Sequence, residues 1–166
     1  MDILIDFDGT CVSHEFPKIG KEIGAAPVLK TLTENDHNLI LFTMRCDFDE
    51  ESSKNIKGSP TGTNVPGLYL TEAIEWFKKH DIPLYGVQTN PTQHYWTTSP
   101  KAYGDIMIDD SAIGIPLINN VEYSRKPFVD WKMVTTLLTK RMLLNSLQYM
   151  FLISILHTLF PPKNTV

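Results

Sequence analysis

At 166 residues, with 42% hydrophobic and 20% charged side chains, the chain can bury one sizeable core but is short for two ordinary domains. A formal charge of -4 and a pI near 5.7 withhold the broad basic field that extensive nucleic-acid binding needs, which leaves small or local anionic ligands as the class to consider. No arginine-rich or strongly apolar leader opens the sequence, and a reducing, cytoplasmic setting is expected, with Cys11 and Cys46 as packing residues.

Ile3-Leu4-Ile5 is a short apolar run that stops at Asp6-Phe7-Asp8-Gly9-Thr10, so a buried strand is predicted to leave the sheet through a tight polar turn. Between residues 25 and 35, Ala26, Val28, Leu29 and Leu32 recur at helical spacing, and residues 38–42 read as a second buried strand ending at Thr43. Residues 47–66 are rich in charge, Ser, Gly and Pro and predict a loop with one helical turn, able to serve as a flap, before a helix over 69–80. A third strand is predicted at 84–88 and a fourth at 105–108, which runs into Asp109-Asp110. Strands alternating with helices predict an α/β fold with a doubly wound parallel sheet in three α/β/α layers, occupying residues 1–132.

Residues 133–166 depart from that frame. Met142 to Phe160 is strongly apolar and approaches the roughly 20 residues that span a bilayer, yet Asn145, Ser146, Gln148 and His157 interrupt it. Leu143, Leu147, Met150, Phe151 and Ile155 can form one face of an amphipathic helix. This tail is therefore expected to pack on the domain or on a partner, a homo-oligomer included, rather than to anchor in a membrane.

In a doubly wound sheet the ligand lies outside the carboxyl ends of the strands, where strand order reverses. Three predicted strand ends carry Asp6, Thr43 and Asp109. Asp6 and Asp8 flank one residue, so both carboxylates can face the same crevice while Phe7 turns to the core. Asp6 at the strand end suits attack on phosphorus with formation of an aspartyl-phosphate, and Asp8 suits general acid and base work on the leaving group and the hydrolytic water. A carboxylate that attacks a phosphate needs a bridging cation, and Mg²⁺ with hard oxygen ligands fits. The metal set is Asp6, Asp8 through its main-chain carbonyl, and Asp109, with Asp110 in support; the two adjacent acids can exchange roles. Gly9, Thr10, Thr43, Met44, Arg45 and Lys101 are the candidate substrate-binding residues, Thr43 by its hydroxyl, Met44 by backbone N–H and Lys101 by its ammonium. Alternatives stand beside two of them: Lys101 as a solvated surface lysine, and Arg45 in an ion pair with Asp47 or Asp49. His14, His94 and Trp96 fall in loops that enter or flank the site.

These residues in this order resemble the haloacid dehalogenase (HAD) superfamily of aspartate-nucleophile hydrolases: an apolar run into DFDGT at 6–10, an apolar run into Thr43, a lysine at 101, and an apolar run into Asp109-Asp110. The resemblance implies a Rossmann-like fold with Asp6 as nucleophile, Asp8 as acid and base, Thr43 as phosphate ligand, Lys101 as partner of phosphate and nucleophile, and Asp6, Asp8 and Asp109 as Mg²⁺ ligands. A second aspartate two residues after the first favours phosphate esters over the dehalogenase branch. Receiver domains hold similar residues in a different order, with the acid pair first and the lysine near the end. Between Thr10 and residue 25 there is no room for a folded insertion, so no cap domain is expected, and the 89–100 loop resembles one found in small capless bacterial hydrolases. The expected activity is a Mg²⁺-dependent phosphatase acting on a small-molecule or macromolecular phosphomonoester; the alternative is a catalytically retired phosphate-binding protein on the same fold.

Overall fold

Four parallel strands in the order β5-β2-β1-β6 form the central sheet of the computed structural model, which describes residues 1–51 and 65–160. They are β1 (Asp2–Ile5), β2 (Asn38–Leu41), β5 (Gly86–Val87) and β6 (Ile106–Ile108). Helix α1 (Ala25–Glu34) joins β1 to β2, and α2 (Tyr69–Lys79) precedes β5. Two short antiparallel pairs stand apart: β3 (Asp47–Phe48) with β4 (Gly67–Leu68), and β7 (Leu117–Ile118) with β8 (Phe128–Val129). Helices α3 (Trp131–Lys140) and α4 (Ser146–Leu159) follow. Most of the predicted flap, residues 52–64, lies outside the described residues, as do residues 161–166.

The chain steps outward from β1 to β2 to β5 and then returns to the other side of β1 with β6, so strand order reverses at β1. Register is in phase there: Ile5 stands opposite both Leu41 and Ile108. The amide of Asp6 continues the ladder by donating to the carbonyl of Ile108 at 3.0 Å. Asp6 and Asp109 therefore leave adjacent strands at one level, which is where a doubly wound sheet opens its crevice.

Alternation sorts the strand residues onto two unequal faces. Ile3, Ile5, Leu39, Leu41 and Ile108 join one large core with Val28, Leu29 and Leu32 of α1, Phe77 of α2, Trp131 and Leu138 of α3, and Leu152 and Leu156 of α4. The opposite face presents Leu4 and Ile40, which pack with Ala102 and Phe42. The three-layer expectation is thus corrected: all four described helices feed the same core, and the other face is covered by irregular chain that includes Ala102. The crossover from β5 to β6 contains one 3₁₀ turn, Gln93–Tyr95, in place of a helix.

Residues 133–160 are no detached tail, because Val134, Leu138, Leu143, Leu144, Leu152 and Leu156 belong to the core that holds Ile3 and Ile5. Helix α4 begins at a capping box in which Asn145 accepts from the Gln148 amide and Gln148 accepts from the Asn145 amide. The face expected to pack is corrected as well: Leu147, Met150 and Phe151 are exposed, whereas Leu152 and Leu156 are buried. Among the described residues no helix is long and apolar enough to cross a membrane.

Candidate active site

Asp6 follows the last residue of β1 and is held among acids. One oxygen each of Asp6, Asp109 and Asp110 can lie within 4.8 Å of the others. Burial pushes the Asp6 carboxyl from 3.8 up to about 7; a hydrogen bond from the Phe7 amide opposes the rise, and the charges of Asp109, Asp110 and Asp8 add to it. Such a group is poised to exchange its proton for a cation, and a set made only of carboxylate oxygens suits a hard divalent ion such as Mg²⁺.

The neighbours of the three acids fix their directions. Asp109 Oδ1 accepts from the amide and the hydroxyl of Ser111, at 2.7 and 2.6 Å, which aligns its carboxylate. Asp110 Oδ2 lies 3.2 Å from His14 Nε2, and that nitrogen also lies 3.1 Å from the carbonyl of Pro127. The bond to Asp110 raises the imidazole above its ordinary value against a lowering by burial. Glycine is required at position 9: its φ is +84°, and a Cβ there would meet His14 Nε2 at 2.2 Å and Asp110 Cγ at 2.9 Å.

Gly9 and Thr10, expected to bind substrate, both take part in the frame of the site. The Gly9 amide is spent on the Val12 carbonyl, and its own carbonyl accepts from Val129 of β8. Thr10 is fully buried; its hydroxyl donates to Asp6 Oδ2 at 3.4 Å and accepts from the Asp110 amide at 2.9 Å, while its carbonyl accepts from Trp131 Nε1. Cys11 is buried and donates to the Asp6 carbonyl, whereas Cys46 is exposed, contrary to the packing role expected for both.

Thr43 lies two residues past the end of β2, with its amide donating to Gln88 Oε1 and its carbonyl accepting from Gln88 Nε2. The next residue, Met44, exposes 96% of its surface, and its amide finds no acceptor among the described residues. Arg45 finds its carboxylate partner in Asp8, where Asp47 or Asp49 was expected. Its side chain is 1% exposed and donates to both oxygens of Asp8 at 2.7 Å. The Asp8 carboxylate is held by Arg45 and is not one of the three clustered acids, although its charge still acts on Asp6.

Against this geometry, one solved structure is similar, that of a conserved protein from Bacteroides thetaiotaomicron: 29% of residues are identical, the match covers 85% of this chain and 91% of that one, and the TM-score is 0.59. No protein-family model matches the chain, and a search of curated proteins finds no match.

Lys101 is the clearest departure from expectation. It is exposed, and among the described residues only its backbone is engaged, by Ser99 Oγ and Gln93 Nε2. The loop is held from inside by the buried Gln93, which leaves the Lys101 stem to solvent. His94 packs on Tyr95 and Trp96 stands edge-on to Tyr103, all exposed, and none of the described contacts joins them to the acids. Gln88, Ser111 and Trp131 were missed. Gln88 carried one signal only, its position at the end of a predicted strand; its left-handed φ of +62° aims an amide side chain back at Thr43 and is invisible in sequence.

Proposed function

We propose that this protein is a magnesium-dependent phosphatase of the HAD type, with Asp6 as covalent nucleophile on a phosphomonoester. The observation that carries the reading is the convergence of Asp6, from the end of β1, with Asp109 and Asp110, from the end of β6, at the strand-order reversal. Carboxylates so far apart in sequence and so close in space, one of them raised to about 7 by burial, are costly unless a cation or a reaction uses them.

Asp6, Asp109 and Asp110 would hold Mg²⁺, which when bound supplies charge neutralisation between an anionic nucleophile and an anionic phosphate. Asp6 attacks phosphorus and the bond to the leaving oxygen breaks, giving an aspartyl-phosphate. Asp8 delivers a proton to that oxygen and later takes one from the water that hydrolyses the intermediate. Thr43, held through Gln88, offers a hydroxyl to the phosphoryl group, and the free amide of Met44 offers a second donor. Lys101 has no part in this version of the site. A compartment of the cytoplasmic kind and an open, capless approach for substrate belong to the same proposal.

A phosphatase assay on nucleotides, sugar phosphates and phosphorylated oligonucleotides, run with Mg²⁺ and with chelator, tests it. Turnover that requires Mg²⁺ and disappears in Asp6→Asn is expected. Equal turnover in wild type and Asp6→Asn would remove Asp6 from the mechanism.

A further inference from the structure

We propose that Arg45 is a positioning residue that aims the Asp8 carboxylate at the reacting phosphoryl group; the inference rests on the phosphatase reading, because only there does Asp8 carry a proton. A guanidinium with 1% of its side chain exposed is expensive to bury unless its donors are used, and here four of the five are. Nε donates to Asp8 Oδ2 and Nη2 to Asp8 Oδ1, both at 2.7 Å, which is the two-pronged geometry that fixes the plane of a carboxylate as well as its distance. The fork is itself clamped from behind, with Nη1 donating to the Pro17 carbonyl at 3.2 Å and Nη2 to the Lys18 carbonyl at 2.8 Å. Phe7 and Phe16 close on it with ring centres at 5.0 and 5.1 Å.

Two consequences follow from those contacts. With four of its five N–H groups spent on Asp8, Pro17 and Lys18 and 1% of its side chain exposed, Arg45 is too enclosed to serve as a substrate clamp. It also joins the two groups that would face phosphate, since its own amide donates to Thr43 Oγ1 at 3.2 Å while its side chain holds Asp8. The guanidinium occupies one lone pair on each Asp8 oxygen and leaves the others, and the 20% exposed side chain of Asp8 remains reachable.

Proton delivery matters unequally among substrates. When the bond from phosphorus to an alkyl oxygen breaks, the electron pair stays on an oxygen too basic to leave without a proton. An aryl oxide carries the same pair as a stable anion. A misaimed Asp8 is therefore felt by alkyl phosphates and scarcely by aryl ones, a difference that general damage to the fold would not produce.

The experiment compares ethyl phosphate with p-nitrophenyl phosphate, in Mg²⁺, for wild type, Arg45→Lys, Arg45→Met, Asp8→Asn and the double variant Asp8→Asn/Arg45→Met. Arg45→Lys and Arg45→Met are expected to lose on the order of 10²-fold in kcat on ethyl phosphate and under tenfold on p-nitrophenyl phosphate, with KM little changed. The double variant is expected to be no slower than Asp8→Asn on either substrate. Equal losses on both substrates in variants with unchanged circular dichroism would overturn the proposal, as would a faster Arg45 variant. Should Arg45→Met fail to fold, Arg45→Lys, which keeps the charge, and the double variant, which removes both charges, carry the same comparison. Wild type inert toward both esters and toward the wider phosphate panel would sink the phosphatase reading itself, before any variant is made.

Discussion

The Asp110 amide donates to the hydroxyl of Thr10 at 2.9 Å, a bond across 100 positions of sequence that locks the turn after β1 to the turn after β6. Because Thr10 is fully buried, its loss leaves an orphan N–H with no water to replace the partner. Thr10→Val, close in shape, is expected to lower stability by about 1–3 kcal/mol, while Thr10→Ser keeps most of it. Thermal unfolding of the two variants side by side is the check, and equal melting temperatures would discount the hydroxyl.

Raising the Asp6 carboxyl from 3.8 to about 7 makes metal-free protein lose stability as pH rises between those two values. Between those values the folded chain keeps a proton that the unfolded chain has lost, so stability is fullest below the lower value and falls as pH rises through the upper one. A shift of this size corresponds to roughly 4 kcal/mol across the window. Asp6→Asn carries no such proton; in chelator its stability should not follow that decline, and above pH 7 it should exceed wild type. Denaturant unfolding at a series of pH values would show parallel curves if burial of Asp6 costs nothing.

Binding of a cation to the folded acids adds stability by mass action, about 2.7 kcal/mol when the free ion is at 100 times its dissociation constant. Mg²⁺ should therefore raise the melting temperature of wild type in a saturable way, and Asp109→Asn and Asp110→Asn should each weaken the response. Calorimetry with Mg²⁺ alone gives an independent reading that needs no substrate. A melting temperature indifferent to Mg²⁺ up to millimolar concentration would dismiss the cluster as a metal site.

Much of the fold was legible in sequence because apolar runs of three to five residues between turn signals, such as Ile3-Leu4-Ile5 before Asp6, mark buried parallel strands whatever the rest of the chain does. The same runs brought Asp6 and Asp109 to one end of the sheet. What was not legible is pairing that depends on three-dimensional approach. Arg45 has Asp47 and Asp49 close by in sequence, yet it reaches 37 positions back to Asp8, because its guanidinium is buried between Phe7 and Phe16, where the Asp8 carboxylate meets both prongs of the fork. Lys101 precedes a strand, as a site lysine would, but Gln93 turns its loop so that the stem points to water. The β7–β8 pair has two residues per strand and leaves no periodic trace, although Val129 is what braces Gly9.

Helix α4 offers a last test, because its two faces were exchanged between expectation and structure. Its sequence is apolar nearly all round, with Leu147, Met150 and Phe151 as credible an inner face as Leu152 and Leu156, and periodicity alone cannot choose. The choice is made by what lies beneath: Leu156 approaches Gly24, where a Cβ would come within 2.5 Å of Leu156 Cδ2, and Gln148 is held to Asn35 at the end of α1 through two side-chain bonds. Those contacts set the rotation of the helix and send Leu152 into the core at 0% exposure while Leu147 stays 78% exposed. Leu152→Ala is therefore expected to cost about 2–5 kcal/mol, and Leu147→Ala less than about 0.5 kcal/mol. Denaturant midpoints of the two single variants measure the difference directly. Equal costs, or a larger cost at Leu147, would mean that α4 sits on the domain the other way round.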